Sequence, residues 1–114
     1  MKKVYLNISL LPKEIILGNK GENKAREYFF DLNDYLKLYG AGRATLYYKR
    51  FSDETATIIN TVDITENNSL LPWVVSNTDT SEESRGYCQI KYTVDSIVKL
   101  SDTIITVVKK ALSD

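Results

Sequence analysis

Acid–base chemistry in this chain would have to run on carboxylates, because its 114 residues include no histidine. Histidine is the side chain whose ordinary pKa lies closest to neutrality, and it is the commonest metal ligand. Ser–His and Cys–His nucleophile pairs are therefore excluded within the chain. Three carboxylate pairs lie close in sequence: Asp53-Glu54, Glu82-Glu83, and Asp31 with Asp34. Each stands in a polar stretch, where a solvated surface charge is the ordinary role. A catalytic carboxylate needs burial or a charged neighbour to shift its pKa. The alternating oxygens of Asn77, Asp79, Ser81 and Glu83 suit calcium by type. That segment nevertheless lacks the glycine and the spacing of a calcium loop. With one cysteine, Cys88, a zinc site would need carboxylates almost alone. Neither common glycine-rich phosphate cradle occurs. The reading is a non-enzyme with no catalytic residue, metal or cofactor.

Aromatic residues are the other group with chemical capacity, and eight tyrosines are the most unusual feature of the composition. Tyr47, Tyr48, Tyr87 and Tyr92 fall on strand-patterned segments, where aromatic cross-strand pairs stabilise a sheet. Three roles are open to such residues: packing, an outward protein-interaction surface, and stacking on sugar rings. Tyr48 and Tyr92 alternate with apolar neighbours and read as core, whereas Tyr47, Tyr87 and Tyr39 are the interaction candidates. Trp73, beside Val74-Val75, reads as core, packed on the strand that holds Cys88 and Ile90. Cys88 alternates with Ile90, Tyr92 and Val94, as a small buried apolar residue does and a reactive thiol does not. Alone, it cannot close an internal disulfide, which fits assembly in a reducing cytoplasm.

The elements that must position these residues are short and separated by turns. Strand signals cover Val4 to Leu11, Glu14 to Leu17 and Lys24 to Leu32, the last with Tyr28, Phe30 and Leu32 at period two. A polar turn, Gly18 to Asn23, separates the second and third. A two-turn helix follows, capped by Asn33 or Asp34, with Tyr35, Leu36 and Tyr39 on its apolar side and Gly40 at its end. Further strands are predicted over Arg43 to Phe51, Thr57 to Ile64, Leu70 to Ser76, Gly86 to Val94 and Ile97 to Val108. Pro72 has no N–H to give a ladder, so its strand belongs at an edge or bulge. Asn77 to Arg85 is polar without a period, and Asp95-Ser96 suits a tight hairpin. Seven or eight short strands and one minor helix predict a mainly-β fold, a two-sheet antiparallel β-sandwich, filling residues 1–114 as a single domain.

Composition narrows the partners. Fifteen basic and fifteen acidic residues cancel and are scattered, whereas nucleic-acid binders gather a basic face. No apolar run approaches the roughly 20 residues of a membrane span. Lys2-Lys3 is followed by neither the apolar core nor the cleavage site of a signal peptide. Neither nucleic acid nor membrane is expected as a partner.

Several of these residues together resemble a known domain. They are Gly18, Gly21-Glu22-Asn23, Ala25 and Tyr35-Leu36, then Tyr47-Tyr48-Lys49-Arg50, Trp73, Val75, Asp79 and Gly86. Gln89-Ile90-Lys91-Tyr92, Val98-Lys99, Ser101 and Thr106-Val107-Val108 complete the pattern, from about Ile15 to Leu112. The chain resembles the amino-terminal β-sandwich domain of phage and prophage tail, baseplate or fibre structural proteins of Gram-positive hosts. Phe51 stands where that pattern has a proline, and Ser84-Arg85-Gly86 has one glycine where two are usual. The resemblance implies a virion component, assembled in the host cytoplasm, that binds copies of itself and other phage structural proteins through packing and strand edges. It implies a homo-oligomer, a trimer or a dimer. The terminal Lys109 to Asp114 stops where a stalk would begin, as expected of a domain cut at its boundary or of a short protein that works alone. A carbohydrate-binding β-sandwich module is the alternative function.

Overall fold

The computed structural model describes residues 1–112, so the last two residues of the terminal segment lie outside it. Two sheets pack face to face, built from β1 (Lys2–Asn7), β2 (Glu14–Asn19), β3 (Arg26–Asp31), β4 (Gly42–Lys49), β5 (Thr57–Ile64), β6 (Leu70–Val74), β7 (Ser84–Val94), β8 (Ile97–Leu100) and β9 (Ile104–Lys109). Among the described residues one helix, α1 (Asn33–Tyr39), joins β3 to β4. The smaller sheet has the order β1-β3-β6, and the larger has β2-β9-β7-β4-β5 with β8 also paired to β7. This is a mainly-β sandwich.

Period-two alternation decides which residues meet between the sheets. On β4, Ala44, Leu46 and Tyr48 are buried while their odd-numbered neighbours are not. On β7, Cys88, Ile90 and Tyr92 point inward, and on β3 Tyr28 and Phe30 do. Leu71 and Trp73 of the small sheet, with Val75 just beyond β6, meet Leu17, Ile64, Ile104 and Val108 of the large one in a single core. At about 25 cal/mol per Å² of apolar surface, this shared burial is the main stabilising force.

Three features depart from the strand pattern. First, the sheets are not wholly antiparallel: β1 runs parallel to β3, and β2 parallel to β9. β1 and β2 enter different sheets, so each adds beside a strand from farther along the chain, and parallel pairing needs such a crossover. Second, the predicted strand from Ile97 to Val108 is two strands whose pairing with β7 slips by one residue, from Lys91↔Leu100 to Cys88↔Ile104. Ser101 mends the slip: its N–H donates to the Ile90 carbonyl at 2.9 Å, and its Oγ accepts the Ile90 N–H at 2.9 Å. Third, neither Asn33 nor Asp34 caps α1. Leu32 occupies the cap position, and the carboxylate of Asp31 accepts the Asn33 N–H at 2.9 Å from one residue earlier. Gly40 ends the helix as expected, at φ +91°.

β1 ends at Asn7 rather than Leu11, because the Leu10 N–H turns back to the Asn7 carbonyl at 3.0 Å. β2 runs on to Asn19 through the start of the predicted turn, while the punctuation holds at Asp95 and Pro72. Asp95, at φ +52°, turns β7 into β8 with Val94 opposite Ile97. Pro72 lies on β6, an edge of the small sheet. There its carbonyl accepts the Asn60 amide at 3.0 Å, which ties that edge to β5.

Candidate functional site

Several polar groups with chemical capacity hold loops. The stretch after β6 has no period in sequence, yet it folds around Asp79. One carboxylate oxygen of Asp79 accepts from the Trp73 indole N–H at 3.1 Å, the Ser76 N–H at 2.9 Å and the Ser76 hydroxyl at 3.1 Å. The Tyr48 hydroxyl donates to the Asp79 carbonyl at 3.2 Å. The same loop grips the turn between β2 and β3. The Gly21 N–H donates to the Thr80 carbonyl at 2.9 Å, the Thr80 hydroxyl to the Glu22 carbonyl at 2.6 Å, and the Asn77 N–H to Asn23 Oδ1 at 3.0 Å. Asn77, Asp79 and Thr80 thus form a clamp between chain segments more than fifty residues apart.

Glu54 turns back on its own loop, accepting the Arg50 N–H and facing the Arg50 guanidinium at 3.8 Å. Asp31 serves the start of α1, and Glu82 and Glu83 are exposed. Among the described residues, no three His, Cys, Asp or Glu side chains gather as metal ligands do. Burial raises the Cys88 thiol to about 12, which holds it in the unreactive protonated form. Burial also raises the Tyr48 phenol to about 12. Trp73, Tyr48, Cys88, Ile90 and Tyr92 are all buried. The Trp73 ring packs on Tyr48 with centroids 5.1 Å apart, and Tyr48 is the β4 partner of Cys88.

Two of the interaction candidates come together and one does not. Tyr47 and Tyr87 lie on the outer face of the large sheet, diagonal across the β4–β7 pair. With Lys49, Ala56, Gln89 and Thr103 they line a shallow hollow of about 300 Å³. Lys49 Nζ sits 5.9 Å from the Tyr87 ring centroid, over its face, and donates to the Ser52 carbonyl at 3.1 Å. Tyr39, by contrast, packs against the core. Its ring meets Tyr35 edge-on at 5.9 Å, and Tyr35 in turn meets Tyr92.

A second aromatic face is one that sequence reasoning missed. On the outer side of the small sheet, Tyr5, Phe29 and Pro72 stand in one row across β1, β3 and β6. The Tyr5 and Phe29 rings stack at 4.7 Å and 12°, and Tyr5 remains 62% exposed. Leu70 and Val74 flank the row on β6. The available signal was the run Tyr28-Phe29-Phe30, which puts an aromatic on both faces of one strand.

No protein-family model matches the chain, and no curated protein matches it.

Proposed function

We propose that this chain is a non-enzymatic structural domain of a phage or prophage virion, in the tail, baseplate or fibre attachment. It acts through self-association and contact with neighbouring structural proteins. The observation that carries this reading is the use of the residues behind the resemblance. Gly21-Glu22-Asn23, Trp73 and Asp79 converge on one loop clamp, a scaffold role, while aromatic rows face outward on both sheets. Exposed aromatic rows are the surface type that protein partners bury. The test is immunogold labelling of purified particles from the induced host, read beside the gene neighbourhood. Label on tails, with tail or baseplate genes adjacent, supports the reading. Unlabelled particles and metabolic neighbours overturn it.

A carbohydrate-binding module is the second reading, favoured by the hollow in which Tyr47 and Tyr87 meet the polar Gln89 and Thr103. Lys49 covers the Tyr87 face that a sugar ring would stack on, which weighs toward a protein partner. Micromolar binding to cell-wall glycans on an array, lost in Tyr47→Ala, would reverse that order.

A further inference from the structure

We propose that two copies of this chain pair antiparallel through β1, about a two-fold axis at Tyr5, joining their small sheets into one continuous six-stranded sheet. This pairing deepens the self-association in the proposed function and rests on that reading.

The open edge of β1 is the first ground. The Lys2 N–H donates to the Ala25 carbonyl at 2.9 Å and the Ile8 N–H to the Asp31 carbonyl at 3.0 Å. Even-numbered residues therefore spend their backbone groups on β3, and the alternation of a parallel ladder turns outward those of Lys3 and Tyr5 and the N–H of Asn7, whose carbonyl accepts the Leu10 N–H at 3.0 Å. The pairing of β1 with β3 runs unbroken from Lys2↔Arg26 to Asn7↔Asp31, without bulge or proline.

Among the described residues, the other edges are interrupted within the strand or short, whereas on β1 the terminal Asn7 carbonyl is taken and the centre is free of bulge and proline. β6 contains Pro72 and is tied by Asn60. β5 shifts register opposite Leu46 and Tyr47, and such bulges twist an edge away from pairing. β2 shifts register between Ile16 and Gly18, and the Ile16 carbonyl is already held by the Arg26 guanidinium and the Tyr28 hydroxyl. β8 is only four residues long.

Lysine on an edge often blocks pairing, but here the side chains lean away from the edge. Lys3 Nζ lies 6.0 Å from the Phe29 ring centroid, and Tyr5 stacks on the same ring. Both reach inward over their own sheet, which leaves the outward backbone groups of Lys3 and Tyr5 clear.

Self-complementarity selects the second copy as the occupant. An antiparallel pairing sets directly opposed residues on one face, so odd residues must meet odd residues. Centring on Tyr5 places Tyr5 opposite Tyr5 and Lys3 opposite Asn7 of the second copy. The cation at one end of β1 then meets the polar end, where Asn7 is paired with Asp31. The rows Tyr5–Phe29–Pro72 of the two copies become a single stripe. The contact is isologous and closes as a dimer.

The test is sedimentation of the full 114-residue chain across a concentration series, with three variants. Wild type is expected to dimerise as concentration rises. Tyr5→Pro removes an N–H that β3 does not use, and should weaken dimerisation about tenfold or more while far-UV circular dichroism is unchanged. If that variant does not fold, Tyr5→Glu, which sets two carboxylates face to face, gives the same readout. Under mild oxidation Tyr5→Cys should cross-link rapidly and Lys3→Cys should not, since opposed Cα atoms lie at disulfide distance and identical residues are opposed only at the axis. Wild type that stays monomeric overturns the pairing, as does equal cross-linking at both positions. An oligomer that survives Tyr5→Pro and Tyr5→Glu overturns the β1 pairing alone and leaves self-association standing. A monomer that is also missing from labelled particles sinks both.

Discussion

Replacing Asp79 by alanine should be far more damaging than its place in a polar loop suggests. Its carboxylate oxygen is the shared acceptor for the Trp73 indole, at 3.1 Å, and for two Ser76 donors, at 2.9 and 3.1 Å. Ser76 is half-buried and can turn to water, but the Trp73 side chain is only 1% exposed. Leaving its N–H unpaired costs about 1–3 kcal/mol, and a hydrogen bond to a charged acceptor contributes about 1.5–3 kcal/mol. These overlap, so the expected loss is about 2–4 kcal/mol, a large share of the roughly 5–15 kcal/mol that holds a domain together. For a domain of this size that lowers Tm by roughly 8–16 °C. Urea unfolding followed by the fluorescence of the single tryptophan measures it directly. A cycle with Trp73→Phe, which removes the donor and keeps a ring, isolates the indole bond, with all four proteins followed by far-UV circular dichroism because two of them lack the tryptophan. The reasoning is refuted if Asp79→Ala costs under about 0.5 kcal/mol, the ordinary size of a surface change. It is equally refuted if Asp79→Ala costs as much in the Trp73→Phe background as in the wild type.

Three other outcomes are expected. Gly86→Ala should unfold the protein or lower Tm sharply, because a Cβ there would lie 2.0 Å from the Lys49 carbonyl and 2.6 Å from that of Arg50; an unchanged melting curve would contradict the close approach of β4 and β7. Cys88 and Tyr48 are both raised to about 12 from ordinary values of 9.0 and 10.0, so the folded state holds their protons more tightly than the unfolded chain does. Their stabilising contribution is complete below about pH 9 and falls as pH rises toward 12, so denaturation midpoints should drop across that window, and Cys88 should react with a thiol reagent only on unfolding. Rapid labelling of the native protein at pH 8 would contradict this burial. The double change Tyr47→Ala with Tyr87→Ala should leave stability within about 1 kcal/mol, since both rings lie on an outer face, yet abolish binding to whichever partner uses the hollow. A large loss of stability would make the pair structural.

Most strand-forming segments, their inward faces and much of the chemistry were legible in the amino-acid order alone. Alternation over Ala44-Leu46-Tyr48 and Cys88-Ile90-Tyr92 is local, and a one-residue slip would turn each set to water, so burial could be read directly. The absence of histidine likewise needed no structure. Only the tertiary structure decided which strands are neighbours. Parallel pairing of β1 with β3 and of β2 with β9 depends on how two sheets share one core, and no local pattern encodes that. The capping of α1 from Asp31 and the slip at Ser101 also lay beyond periodicity, because each turns on where a side-chain oxygen reaches. The same holds for the surfaces. Tyr47 and Tyr87 were legible as outward residues, but their meeting across β4 and β7 was not. The row of Tyr5, Phe29 and Pro72 draws on three segments far apart in the chain. Asp79 looked like loop polarity until the fold brought the Trp73 indole to its oxygen, since a buried donor takes its acceptor from whatever the fold places beside it.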